Sequence, residues 1–193
     1  MAQTSKMTNK QKAAGGSAVI LAMITATLAL EGGYVFHKND PGGETNLGIT
    51  KAVAVKNGYT GPMKKLPEEV AISIYYKDYI VKPGYEPLVA VNAPVVQELY
   101  DTTSNMGQSR PGKFFQTSIN KLCGTKLKVD GVVGAGTRKA FTDCQVTIGA
   151  TKMCLQMLDE LDNQQKLEYD RLVRVNPALR VFYKGWVNHR IGN

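Results

Sequence analysis

Glu31-Gly32-Gly33-Tyr34 and Asp40-Pro41-Gly42-Gly43-Glu44-Thr45-Asn46-Leu47-Gly48-Ile49-Thr50 follow directly on an 18-residue run without charge, Ala13 to Leu30 (AAGGSAVILAMITATLAL). Glycine is favoured just past a helix end, so Gly32-Gly33 should stop a helix whose last residue is Glu31. Gly42-Gly43 and Gly48 mark a turn-rich loop or short hairpin. The stretch therefore predicts a helix closing on one acid, then a compact loop that carries a second acid after eight intervening residues.

Two such carboxylates suit the cleavage of a glycosidic bond. An acid that keeps its proton near neutral pH can donate it to a leaving sugar oxygen. A helix C-terminus and burial both favour that state, which makes Glu31 the candidate acid. Asp40 sits in a polar, Gly-rich loop and should stay ionised, ready to orient a water or to stabilise an oxocarbenium-like state. Thr45 and Asn46 stand where that water could be held. Tyr34 and Thr50 are candidate sugar-contacting residues, and Tyr59 is a further aromatic suited either to a cleft or to packing.

The run preceding the first acid spans roughly 27 Å as a helix, close to the thickness of a bilayer core. Lys6, Lys10 and Lys12 precede it and no base follows before Lys38, the pattern of a segment whose N-terminus stays in the cytoplasm while the rest is exported. Yet eleven of its residues are Ala, Gly, Ser or Thr and only seven are Val, Ile, Leu or Met. A weakly apolar segment of this kind can enter a membrane and leave it. A kept membrane segment is the leading reading, with a cleaved signal peptide and a buried core helix as the others.

At 193 residues and 43% hydrophobic content the chain holds a real core, in one large domain or two small ones. Residues 31–91 carry seven bases and seven acids, whereas residues 92–193 carry fourteen bases and nine acids. The basic C-terminal half suggests a polyanionic partner, and the side chains of residues 110–139 (Arg110, Lys113, Lys121, Lys126, Lys128, Arg138 and Lys139) are candidates to meet it. Three cysteines, Cys123, Cys144 and Cys154, allow one disulfide and one free thiol, or three reduced buried residues. With two histidines and no CxxC, zinc chemistry is disfavoured, and no metal or cofactor is implied.

Further along, Leu66-Pro67-Glu68-Glu69 reads as a helix start and Val70–Ile80 as its body, broken by Val81-Lys82-Pro83-Gly84. A connector at Val89–Pro94 marks a domain boundary. Helices follow at Pro94–Met106, Phe114–Leu122, after the Asp130-Gly131-Val132-Val133-Gly134 turn with Thr137 as cap, at Thr151–Val175, and around Phe182–Trp186. Trp186 reads better as a helix-docking side chain than as a sugar platform. The fold class is mainly α with little strand.

EGGY, DPGGETN and GIT together resemble the phage-type N-acetylmuramidases of glycoside hydrolase family 108, which are lysozyme-like endolysins; the likeness covers roughly residues 20–91. Gln97, Asp101, Asn105-Met106-Gly107, Gln116, Asn120, Asp130 to Gly134, Thr137 and Gly185-Trp186 are similar to the small helical peptidoglycan-binding domain often paired with them. The resemblance implies an α+β lysozyme-like catalytic domain with a small hairpin region, hydrolysis of the muramic acid to glucosamine bond, and Glu31 as catalytic acid. It also resembles the Glu–Asp–Thr arrangement of other phage lysozymes, with Thr45, Asn46 or Thr50 in the third place. The uncharged run resembles a signal-arrest-release segment, by which such an enzyme is tethered to the inner membrane and later freed into the periplasm.

The expected organisation is thus a tail and tether at 1–30, a catalytic domain at 31–91 whose first helix comes from 13–31, and a wall-binding helical domain at 92–193. The expected partners are peptidoglycan and, before release, the inner membrane; nucleic acid is disfavoured and the chain should be a monomer. A lytic transglycosylase and a non-enzymatic, membrane-tethered wall-binding protein are the rival readings.

Overall fold

The structure, a computed structural model, describes residues 9–36 and 43–191. The chain is mainly helical, as expected, and divides into two compact units, residues 1–82 and 83–193.

The first unit opens with helix α1 (Asn9–Leu30). Its buried residues, Ile20, Met23, Ile24 and Leu28, recur at helical spacing and form one stripe, which packs on α3 (Glu68–Tyr75). Burying four such side chains is worth about 1.5–3 kcal/mol each. No helix among the described residues is long and apolar enough to cross a membrane. The physical reason is the excess of small residues in the run. They thin its apolar surface but let one face settle into a protein core.

Beyond α1 comes a two-residue hairpin, β1 (Thr45–Asn46) paired antiparallel with β2 (Ile49–Thr50), with Thr45 opposite Thr50 and Asn46 opposite Ile49. Val35 adds an isolated bridge to the other edge of Thr45. Helix α2 (Lys51–Lys56) and a 3₁₀ turn at Met63–Lys65 lead into α3. The first turn of α3 carries Glu68 and Glu69, which complement the positive end of the helix dipole. From Tyr76 to Val81 the helix widens into a π-helical turn, a local rearrangement frequent at functional sites.

The second unit is a bundle of α4 (Ala93–Met106), α5 (Ser109–Cys123), α6 (Ala135–Ile148), α7 (Ala150–Val175) and α8 (Arg180–Arg190). Segment 83–91, assigned from the sequence to the first domain, groups with this bundle. Tyr85 and Leu88 are fully buried, the Tyr85 hydroxyl meets Thr103, and Gln145 donates to the Val91 carbonyl. Helix α5 begins five residues earlier than Phe114, because Pro111 lies in its first turn, where a missing N–H loses no bond.

Gln116 organises the loop before α6. Its Nε2 donates to Asp130 Oδ1 and the Val132 carbonyl, both at 3.0 Å, and its Oε1 accepts the Gly131 amide at 2.8 Å. Thr137 does not cap α6; it sits one turn inside, donating to the Val132 carbonyl and accepting from Gln116. The loop lies so close to α5 that a Cβ on Gly112 would fall 2.2 Å from the Gly131 carbonyl oxygen. Cys123 and Cys144 form a disulfide that ties the end of α5 to α6, and Cys154 is free. Trp186 docks α8 onto α7 by stacking on Tyr169, with ring centroids 5.1 Å apart.

Candidate active site

Glu31 follows the last residue of α1, and its amide still bonds to the Thr27 carbonyl at 2.9 Å, so the helical frame aims its side chain. The hairpin turn lies against that side chain. A Cβ built on Gly48 would stand 2.9 Å from both Cδ and Oε2 of Glu31, and 2.4 Å from the Tyr75 hydroxyl. The Glu31 carboxylate, the glycine backbone and the Tyr75 phenol therefore meet at one point. Only a glycine lets the turn approach so closely, and its φ of +72° is one that other residues rarely adopt.

The turn itself is strained. Leu47, with φ of 51°, is the one non-glycine residue at positive φ among those described, and Leu47-Gly48 together form a two-residue hairpin turn with both angles positive. Leucine in this conformation costs about 1–2 kcal/mol. Tyr75 holds it: its hydroxyl donates to the Leu47 carbonyl at 3.3 Å, and the side chain is 3% exposed. Tyr79 lies one helical turn on, its ring centroid 5.1 Å from that of Tyr75. Its phenol is held above the usual tyrosine range, first by burial, then by the negative charges of Asp78 and Glu31. Glu31 and the two tyrosines thus share one electrostatic neighbourhood.

A second cluster stands on the same stretch. The Tyr34 hydroxyl donates to Glu44 Oε1 at 2.9 Å, Lys51 binds Glu44 Oε2 at 2.7 Å, and the Lys64 ammonium lies 5.1 Å from the Tyr34 ring centroid. Lys51 first, and then Tyr34, hold the Glu44 carboxyl below the usual range, so it remains a charged anchor for Tyr34. That leaves the ring and the adjacent ammonium of Lys64 as a polar-aromatic surface suited to a sugar.

The remaining sequence-derived residues have mixed placements. Thr45 is fixed by two backbone bonds to Val35, at 2.8 and 2.9 Å, and stands opposite Thr50 in the hairpin. Asn46 is buried and donates to the Met63 carbonyl at 2.7 Å, so its amide supports the fold under the hairpin instead of facing substrate. Thr50 caps α2 by accepting the Val53 amide. Asp40 lies outside the described residues, as does His37. Glu31 is exposed, not buried as a retained proton would favour. Tyr59 folds back on its own loop, donating to the Pro62 carbonyl. Tyr75, Tyr79, Gly48, Glu44 and Lys64 were not singled out as site residues; an aromatic pair four residues apart was the one available sign of the first two.

Chemically, the arrangement presents an aimed, solvent-reachable carboxyl group beside two phenols and a rigid turn. It can deliver a proton to an oxygen lying over the turn.

Residues 24–107 match the family described as Glycosyl hydrolase 108, a stretch that contains all of these side chains and runs on through α4. Among solved structures the chain is similar to SagA of Brucella abortus, with 26% identity, a TM-score of 0.65 and 89% of each chain covered. No curated protein matches the chain. The mainly α, lysozyme-like fold agrees with that likeness, and the non-enzymatic reading is set aside. Over residues 24–107 the chain is thus similar to the glycosyl hydrolase 108 family, and the protein is a glycoside hydrolase.

Proposed function

We propose that this glycoside hydrolase is an endolysin-type N-acetylmuramidase that cuts the β-1,4 bond between N-acetylmuramic acid and N-acetylglucosamine in peptidoglycan. The observation that carries the reading is the convergence of Glu31, the Leu47-Gly48 turn and Tyr75 inside the family-matching stretch. Glu31 protonates the leaving glycosidic oxygen. Asp40 activates or orients the water, Thr45 steadies it, and Tyr34 with Lys64 receives a neighbouring sugar.

The second unit retains the enzyme on the wall. Its disulfide favours an oxidising compartment, which supports export to the periplasm. The weakly apolar α1 serves as a releasable tether at the host inner membrane: too poor in large apolar residues to hold there, it withdraws and supplies the core stripe that aims Glu31. The released enzyme acts as a monomer and lyses the host.

Zymography on purified peptidoglycan tests this. Wild type should clear the gel and yield reducing muramic acid ends by product mass, and Glu31→Gln should not clear it. Clearing by Glu31→Gln refutes the assignment of the acid, and anhydro-muramic products would make the enzyme a lytic transglycosylase. The tether is tested by fractionating cells that express Glu31→Gln: the chain should sediment with inner membranes and become soluble when the membrane is depolarised.

A further inference from the structure

Most of the basic side chains that sequence alone put forward for a polyanion are engaged within the second unit. Arg110 pairs with Glu168, Lys121 with Glu160 and Lys139 with Asp143, while Arg138 donates to the Val133 carbonyl. A different set is open. Where α7 ends and α8 begins, a groove of about 620 Å³ is lined by Asp170, Val173, Arg174, Arg180, Tyr183 and Lys184. That volume falls within the range typical of sites for small ligands.

Arg180 and Lys184 lie four residues apart on one face of α8, and Arg174 approaches from the last turn of α7. None of the three forms an ion pair among the described residues. Asp170, the acid in the groove lining, offsets them only in part, through its charge interaction with Arg174. Its main partners are the Tyr183 hydroxyl and Lys166, the latter at 3.0 Å, and these two bonds, Tyr183 first, hold its carboxyl below the usual range. Its effect is to fix the Tyr183 ring in the groove wall. On the side of α8 away from Arg180 and Lys184, Phe182 stacks on Trp186 with centroids 6.0 Å apart and helps dock the helix.

We propose that this groove binds the carboxylate-bearing peptide stems of peptidoglycan, an inference that rests on the peptidoglycan reading above. Guanidinium groups recognise carboxylates by paired parallel hydrogen bonds, and two arginines with one lysine match a short segment bearing several carboxylates. The cations converge on a pocket of single-ligand size. A duplex or a membrane would call for a stripe of charge along a face.

The test is co-sedimentation of the full chain carrying Glu31→Gln with intact sacculi and with sacculi stripped of stems by an amidase. On intact sacculi, Arg180→Glu with Lys184→Glu should weaken binding at least tenfold, whereas Lys126→Glu with Lys128→Glu, an equal change of charge on an exposed loop, should leave it within twofold. The starting chain should bind stripped sacculi as weakly as the groove variant binds intact ones. Arg180→Gln with Lys184→Gln provides a milder variant with the same expected direction, and thermal melting checks that each is folded. The inference is overturned by full binding of a folded groove variant, by equal loss in the loop variant, or by equal binding to stripped sacculi or anionic phospholipid vesicles. Failure of the starting chain to sediment with any sacculi would instead overturn the wall-binding reading itself.

Discussion

Replacing Gly48 by alanine probes the active site most directly, because two effects of known size separate cleanly. The first is conformational: an L-residue at φ of +72° costs about 1–2 kcal/mol. The second is steric, because the new methyl would lie 2.4 Å from the Tyr75 hydroxyl and 2.9 Å from the Glu31 carboxylate. Overpacking of this kind adds about 1–3 kcal/mol and forces one neighbour to move. Gly58 supplies the control: its φ is +90°, and a Cβ there meets nothing within 4 Å. Gly58→Ala should therefore lose only the conformational share, a melting-point fall of about 4–8 °C per kcal/mol for a unit of this size. Gly48→Ala should lose both shares. Displacing the carboxylate by about 1 Å should also slow peptidoglycan clearance roughly a hundredfold at a temperature where the variant is fully folded. Turbidity loss of wall suspensions, paired with thermal unfolding, measures both quantities. If Gly48→Ala clears walls as fast as Gly58→Ala and melts at the same temperature, the proposed meeting of turn, acid and phenol is wrong.

Tyr75→Phe removes the bond to the Leu47 carbonyl, so stability should fall by about 1 kcal/mol and kcat should drop with KM nearly unchanged in steady-state assays. Asn46→Ala should cost about 1–3 kcal/mol in unfolding experiments by orphaning the Met63 carbonyl, with KM unaltered; a raised KM at normal stability would restore Asn46 to the substrate. Cys123→Ser with Cys144→Ser should destabilise the second unit by about 3 kcal/mol in denaturant titrations, as expected for a bond closing a loop of sequence separation 21. Glu98, buried on α4 near the charge of Asp162, is pushed up to about 7 from 4.5. Folded protein therefore holds a proton that unfolded chain has released across that window. Stability of the second unit should fall by on the order of 3 kcal/mol as pH rises through it and level off above, and Glu98→Gln should flatten the profile.

The parts of the fold that could be read from sequence are those governed by local chemistry. Gly32-Gly33 ends α1 next to Glu31, and Gly48 marks a real hairpin turn, because glycine's conformational freedom acts at its own position. What escaped reading depends on distant contacts. Tyr75 looks like any apolar-face residue of α3 until the hairpin, 28 residues earlier, is laid against it. Leucine normally avoids positive φ, so nothing at Leu47 announced strain. The π-helical turn after Tyr75 leaves no periodic trace in so short a segment. The disulfide partners and the allegiance of segment 83–91 follow from helix packing, which residue spacing does not encode. Asn46 and Thr137 have residue types suited to a site or a cap, but the neighbouring backbone claims their polar atoms.

The Glu31 environment draws on three separate stretches: the end of α1, the Leu47-Gly48 turn and Tyr75 near the end of α3. No local piece of chain can assemble it, so this setting arises only once long-range closure of the first unit is complete. A nascent or partly unfolded copy holds the carboxyl group but not its setting. The topology itself thereby makes the proposed chemistry wait on folding of the whole unit.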